Sequence, residues 1–298
     1  MYIRRFASAA PDTLTSMIIP AFVTFVLIAT LLFIYARFIE PSWLRIRHRV
    51  VPISGWSKAN DGLRILHLSD LHVGRSTGRV RRFVARAAAV PADIIVITGD
   101  FVDHPKYVPL LADVLLPLTE RGQPVIAILG NHDRFAYAQR FIRSHPHAYD
   151  STELIEAVRA AGIDLMIDET RTVATRVGDI RFVGIDISSH NGAGLMHTLQ
   201  GGSVAGAIML AHSPDAIPAA AEAGIGLLLC GHTHGGQVRI GPWFTPMTST
   251  RLRLKPPSGI IKRRSTVTHV SPGLGITFLP FRFFARPEAT VIEVIASG

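Results

Sequence analysis

One recurrence constrains this chain more than any other feature: five apolar runs each end in residues that can ligate a metal. The last run, Ile225 to Cys230, is followed by Gly231-His232-Thr233-His234-Gly235-Gly236. A continuous apolar run of that length reads as a buried strand. The glycines after it allow the backbone to turn sharply and bring both imidazoles to the strand's end. Four counterparts stand upstream. Leu63 to Leu68 leads into Asp70 and His72, Asp93 to Thr98 into Asp100 and Asp103, Pro124 to Leu129 into Asn131 and His132, and Ala205 to Ala211 into His212.

Between these runs, helical patterns fall at Arg79 to Ala89, Val108 to Thr119, Ser151 to about Gly162 (with Ser151 as N-cap) and Pro214 to Ala223. Arg171 to Arg176 and Asp179 to Ile187 read as an antiparallel pair, and Thr266 to Val270 and Ala289 to Ile295 as further strands. Early β/α alternation followed by a strand-rich half argues for an α/β fold of two packed mixed sheets flanked by helices, with the ligands on loops at strand ends.

Carboxylate, imidazole and amide oxygen together suit Mn, Fe or Zn better than calcium, which takes oxygen alone. Asp70, His72, Asp100, Asn131, His212, His232 and His234 are too many ligands for one tetrahedral zinc and enough for two divalent ions sharing a carboxylate. Taken singly, any one of the 13 histidines is by default a surface or core residue. His67 lies inside a strand pattern and is read as a core residue, while His104, His145, His147, His190, His197 and His269 fit no site. Cys230, the single cysteine, ends a strand and reads as a buried thiol, and one cysteine excludes an intramolecular disulfide framework.

No charge interrupts Thr13 to Ala36, and Met17 to Ala36 is almost wholly apolar. As a helix that stretch spans about 30 Å, enough for the hydrocarbon core of a bilayer. It is long for a cleaved signal peptide and no A-x-A site follows it, so a retained span is expected. The formal charge of +9 is uneven: +5 over residues 1–60, −3 over 61–224 and +7 over 225–298. Basic ends suit an anionic surface or substrate. No helix-turn-helix, zinc-finger or RNP-type pattern occurs, so a nucleic-acid partner is not expected. Arg37, Arg45, Arg47 and Arg49 after the span outnumber Arg4 and Arg5 before it, which places the following domain in the cytoplasm. Three parts are expected: an anchor at 1–42, a linker at 43–60 marked by Pro52, Gly55 and Asn60-Asp61-Gly62, and a catalytic domain at 61–298. Within 239–286, Trp243, Phe244, Phe278, Phe281, Phe283 and Phe284 interleave with Arg251, Arg253, Lys255, Lys262, Arg263 and Arg264. This stretch is either a wall for the membrane or an amphipathic anion, or core aromatics beside a solvated basic loop.

Asp70-x-His72, Gly99-Asp100-x-x-Asp103, Gly130-Asn131-His132-Asp133, His212 and Gly231-His232-x-His234 resemble the five ordered blocks of the calcineurin-like metallophosphoesterases, over about residues 63–236. Gly236-Gln237-Val238-Arg239, Val270 to Gly275 and Pro280 to Phe284 are similar to a membrane-tethered bacterial branch that includes UDP-2,3-diacylglucosamine diphosphatase-type enzymes. The resemblance implies hydrolysis of a phosphodiester or pyrophosphate at the bacterial inner membrane. It also implies one metal on Asp70, His72 and His234, a second on Asn131, His212 and His232, and Asp100 bridging them. His132 would be the general acid, oriented by Asp103. A lipid-linked phosphorylated substrate is expected from it, with a broad phosphodiesterase or phosphomonoesterase acting on nucleotides or cell-wall phosphates as one alternative and a membrane-anchored metal-binding scaffold without turnover as another. Because residues 1–42 hold none of these groups, their removal is expected to leave hydrolysis of a small soluble diester intact.

Overall fold

The computed structural model describes residues 13–136, 147–186, 198–199, 204–240, 245, 248, 250–252 and 254–298. His145, His190, His197, Trp243, Phe244 and Arg253 lie outside the described residues. Helix α1 (Thr13–Ile34) continues through a π turn (Tyr35–Ile39) and a 3-10 turn (Glu40–Ser42). The chain then runs β1 (Arg45–Ile53), β2 (Leu63–Leu68), α2 (Thr77–Ala88), β3 (Ile94–Thr98), α3 (Leu111–Thr119) and β4 (Val125–Ile128). A short hairpin, β5 (Phe135–Ala136) and β6 (His147–Ala148), precedes α4 (Thr152–Ala160), β7 (Asp164–Leu165), β8 (Glu169–Thr175) and β9 (Gly178–Ile185). The second half holds β10 (Ile208–Ala211), α5 (Ile217–Ala223), β11 (Leu227–Cys230), β12 (Gly259–Arg263), β13 (Thr266–Val270) and β14 (Glu288–Ala296).

Two six-stranded mixed sheets form, in the orders β1-β14-β2-β3-β4-β7 and β12-β13-β11-β10-β9-β8. Their facing sides meet in one core, in which Ile65, Val96 and Ile126 oppose Phe182, Leu210 and Leu229. The other face of the first sheet packs Leu66, Ile95 and Ala127 against Val84, Val114 and Leu154 of the helices. The second sheet's outer face packs Met209 and Leu228 against Ile217 and Ala220. The layers therefore run helix, sheet, sheet, helix, and strands buried on both faces explain the unbroken apolar runs. β2, β3 and β4 are mutually parallel, as are β9, β10, β11 and β13.

Residues 43–60, expected as a linker, instead contain a nine-residue strand, β1, paired in parallel with β14. Pro52 is compatible with it because β1 is an edge strand, where a missing N–H costs no ladder bond. Val51 and Ile53 enter the core while Arg47 pairs with Glu288 at 2.8 Å. Ser151 precedes α4 but does not cap it, since its hydroxyl donates to the Asp133 carbonyl at 2.7 Å. β12 was not apparent in the sequence, because Gly259-Ile-Ile-Lys-Arg is a short, half-exposed edge segment. His67 is fully buried, with Nδ1 2.8 Å from His269 Nδ1 and Nε2 2.9 Å from Thr98 Oγ1.

Candidate active site

The carboxyl ends of β2, β3, β4, β10 and β11 converge across the gap between the sheets, and the predicted ligands follow directly from them. Five of these ligands, Asp70, His72, Asp100, His232 and His234, have φ between 45° and 67°. Left-handed backbone at a non-glycine residue costs about 1–3 kcal/mol and persists only where the surroundings enforce it. Here the loops enforce one another. Val73 bridges Val102, Asp70 N–H donates to Gly99 O at 3.0 Å and His72 N–H to Asp100 O at 2.9 Å. Asp133, buried, accepts from Phe101 N–H (2.8 Å) and Gly130 N–H (2.9 Å) and so fastens the β3 loop to the β4 loop. Gly130 is required for space, since a Cβ there would overlap Asp100 Oδ1.

Asp100 stands at the centre. Its Oδ1 accepts His132 N–H at 2.8 Å, and its Oδ2 lies 3.4 Å from His72 Nε2 and 3.3 Å from His212 Nε2. Metal-ligating atoms gather in two sets that share it: Asp70, His72, Asp100 and His234, and Asp100, His212 and His232. Asn131 Oδ1 joins the second set, 3.0 Å from His212 Nε2. Within the sets, imidazole nitrogens face each other, His72 Nε2 with His234 Nε2 at 3.0 Å and His232 Nδ1 with His212 Nε2 at 3.2 Å. Nitrogen lone pairs at that separation need a proton or a cation between them. Ligands about 2.0–2.2 Å from one ion stand about 3.0–3.4 Å apart, so these separations fit a cluster that holds metal.

Electrostatics agree. Burial opposes charge on His72, yet contacts with Asp100 and Asp103 hold its pKa well above the usual histidine range. His212 is likewise desolvated, but Asp100 pushes it up to about 9. Asp100 is desolvated too, and His212 and His132 pull it well below the carboxylate range. Such a site attracts positive charge, and a divalent cation satisfies it more fully than protons.

Asp103 stands in one group with His72 and His132. Its Oδ1 lies 2.8 Å from His72 Nδ1, because the Val73–Val102 bridge and the Asp103 N–H bond to Val73 O set it over that ring. It orients a predicted ligand, in the manner of carboxylates behind metal-bound histidines. His132 is buried, its ring 4.7 Å from His72, and desolvation lowers its pKa to about 4 against the pull of Asp100. A cleft of about 330 Å³ opens above these groups, lined by Asp100, Asn131, His132, His232, His234, Thr277 and Phe278.

Thr277 and Phe278 were not singled out as site residues. Thr277 Oγ1 is 3.5 Å from His132 Nε2, and the Phe278 ring is 5.6 Å from the His132 ring. They come from a loop tied to the last glycine motif, where the Gln237 side chain bonds Thr277 O and Leu279 O (both 2.8 Å) and Thr277 N–H (3.1 Å). The fully buried Arg282 donates to Pro272 O (2.9 Å), Gly273 O (3.2 Å) and Ala285 O (2.6 Å). The segment it grips supports the metal loop, since Leu274 N–H bonds Ser69 O at 3.0 Å and Gly275 N–H bonds Asp70 O at 2.7 Å. The segment that follows α1 joins this assembly. Arg282 N–H donates to Ala36 O at 2.9 Å, and the buried Glu40 carboxylate accepts from Phe284 N–H (2.9 Å) and Ala285 N–H (2.5 Å). Ala36 and Glu40 thus contact a loop of the site. Glu40 gave no sequence signal, because its partners are backbone amides more than 240 residues away.

Residues 63–236 match the family described as calcineurin-like phosphoesterase. Among curated proteins, the chain is 27% identical to the uncharacterized metallophosphoesterase YkuE of Bacillus subtilis, covering 87% of this chain and 88% of that one. It is 29% identical to the phosphodiesterase YaeI of Escherichia coli, covering 88% and 92%. It is 24% identical to the UDP-2,3-diacylglucosamine pyrophosphatase LpxG of Chlamydia trachomatis, covering 93% and 97%. With its helix–sheet–sheet–helix layers, a His/Asp cluster able to bind metal and the family pattern across more than half its length, this chain belongs to the calcineurin-like phosphoesterases and is a metal-dependent phosphoester hydrolase.

Proposed function

We propose that this protein is a membrane-tethered phosphoesterase that cleaves a phosphodiester or pyrophosphate bond in a lipid-linked substrate of the UDP-2,3-diacylglucosamine type, at the cytoplasmic face of the inner membrane. The observation that carries the reaction class is Asp100, shared by two convergent ligand sets with His132 beside them. Asp70, His72, Asp100 and His234 would hold one divalent ion, and Asp100, Asn131, His212 and His232 a second, with Mn, Fe or Zn suited to the mixed donors. When bound, the ions supply Lewis acidity toward phosphoryl oxygens and an activated water.

The chain's own residues do the rest. Asp103 fixes the tautomer and tilt of His72. His132 lines the cleft, its Nε2 beside Thr277, and would give a proton to the departing oxygen. With its pKa near 4, His132 is neutral at pH 7 until a phosphoryl anion sits against it, because a neighbouring anion favours the imidazolium. The proton is then held where leaving-group charge develops. Thr277 offers a hydroxyl at the same edge, and Phe278 closes the cleft with an apolar wall.

The lipid-linked substrate is favoured by the pyrophosphatase relative and by an apolar helix that is long enough to cross a bilayer, with a mean hydropathy of 2.7. A water-soluble phosphodiester is the second reading, favoured by the relative named as a phosphodiesterase. Purified full-length protein with its metal content measured should hydrolyse bis-p-nitrophenyl phosphate. Incubation with a membrane lipid extract should deplete one phosphorylated lipid species. Hydrolysis of the soluble diester with every lipid species intact would select the second reading.

A further inference from the structure

The loop that lines the cleft is the same loop that packs on the anchor. Phe281 meets Phe33 edge-on at 5.5 Å, and Phe283 meets Tyr35 at 6.0 Å. Phe33 is four residues before Arg37, the first charge after the apolar run. At about 1.5 Å per residue, that is about 6 Å from the run's end. Any bilayer that contains α1 therefore reaches the level of Phe281. The backbone bond from Arg282 to Ala36 and the Glu40 carboxylate on Phe284 and Ala285 prevent the loop from standing away from that level.

What the loop presents there is apolar. Phe278 and Phe284 are 61% and 62% exposed, a condition that costs free energy in water and is relieved at an acyl boundary. Trp43, 52% exposed, carries Arg286 over its ring at 3.9 Å, an amphipathic pair suited to the headgroup layer. On the flank, Arg79 of α2 is depressed by burial and then by the like charges of Arg37 and Arg82. The edge is thus an apolar rim bordered by cations.

We propose that this edge is seated in an anionic lipid leaflet: the Phe278 and Phe284 side chains enter the acyl–headgroup boundary, and the catalytic cleft opens directly onto it. The anchor is then a fixed mount that sets depth and angle, and Phe278 is at once cleft wall and membrane contact. This rests on α1 spanning the bilayer, and it extends the lipid-linked reading by stating how such a substrate reaches His132: by sliding along the leaflet, with no transfer through water.

The test locates side chains and needs no substrate, so an error in the substrate assignment leaves it untouched. Full-length F278C and F284C proteins are labelled with bimane. Cys230 is fully buried, so label goes to the introduced cysteine. Glu120→Cys is the control, because it precedes β4 and so lies at the opposite end of the strands from the ligands. The proteins are reconstituted in phosphatidylethanolamine–phosphatidylglycerol vesicles carrying nitroxide-labelled acyl chains. Both loop positions should be quenched about twofold or more, as expected for groups about 5–10 Å into the boundary, and position 120 should match nitroxide-free vesicles. Absence of quenching at either loop position, or equal quenching at all three, overturns the proposal.

Discussion

Replacing Glu40 by alanine should damage an active site whose predicted ligands all lie elsewhere. Glu40 is wholly buried, and its two oxygens accept the N–H groups of Phe284 and Ala285. Alanine leaves both donors desolvated and without that partner. A buried unsatisfied donor costs about 1–3 kcal/mol, so the docked loop loses about 2–6 kcal/mol relative to an undocked one. At about 1.4 kcal/mol per decade, that is about 30-fold to 10⁴-fold in the docking equilibrium. Arg282 still holds the loop's other side, which limits the damage to the segment bearing Thr277 and Phe278. The assay is kcat and KM for bis-p-nitrophenyl phosphate in detergent, where no bilayer contributes, with limited proteolysis between residues 276 and 286. KM should rise and kcat fall in E40A, E40Q should lie between it and the parent because its amide oxygen restores one acceptor, and the loop should become cleavable. Parental kinetics together with parental protease resistance in E40A would show the anchor to be a leash and refute the reasoning.

Further perturbations separate the roles proposed within the cluster. D100A should lose metal, measured by elemental analysis, together with activity, whereas H132A should keep its metal and lose turnover by ~10²–10⁴ on an alkyl phosphodiester. With p-nitrophenolate as leaving group the H132A loss should be much smaller, since that anion departs without a proton; equal losses on both substrates would count against the acid role. D103N should weaken metal affinity by about 10–100-fold through His72, read by chelator competition, and an effect on turnover without one on metal would return Asp103 to His132. G130A should displace Asp100 and release metal even though the protein still folds, with a stability cost of about 1–3 kcal/mol in thermal melts. A reporter fused after Gly298 should behave as cytoplasmic, and an active periplasmic phosphatase fusion would reverse the orientation.

Some parts of this architecture were legible because their cause is local. A strand buried on both faces is apolar throughout, so β3, β4, β10 and β11 showed themselves as nearly unbroken runs, and the ligands followed each run within a few residues. Asp133 and Gln237 stood within recognisable motifs, yet their work, fastening one loop to the next, depends on amides that only the fold brings near. β1 was misread as a linker because an edge strand tolerates Pro52 and exposed arginines, the composition that marks a linker. The contact of Asp103 with His72 was not legible, because sequence order says nothing about which rings the bridge between two loops places it near. The basic aromatic stretch offered two readings, and the contacts that bear on them, Phe281 with Phe33 and Phe283 with Tyr35, span about 250 residues of chain.

The position of β14 has a consequence for biosynthesis. In the first sheet it lies between β1 and β2, parallel to one and antiparallel to the other. β1 and β2 leave the ribosome early and next to each other, but until residues 288–296 exist β1 lacks its partner and β2 has only β3. Throughout translation, the nascent chain therefore carries an open slot of strand width, with the amides of β1 and β2 facing it. Pairings of such sequence separation form slowly, and an open strand edge is the kind of surface that recruits foreign strands. Elongation that stalls short of Glu288 should leave a chain in which the second sheet has its strands and the first cannot close, a species suited to capture by chaperones or proteases.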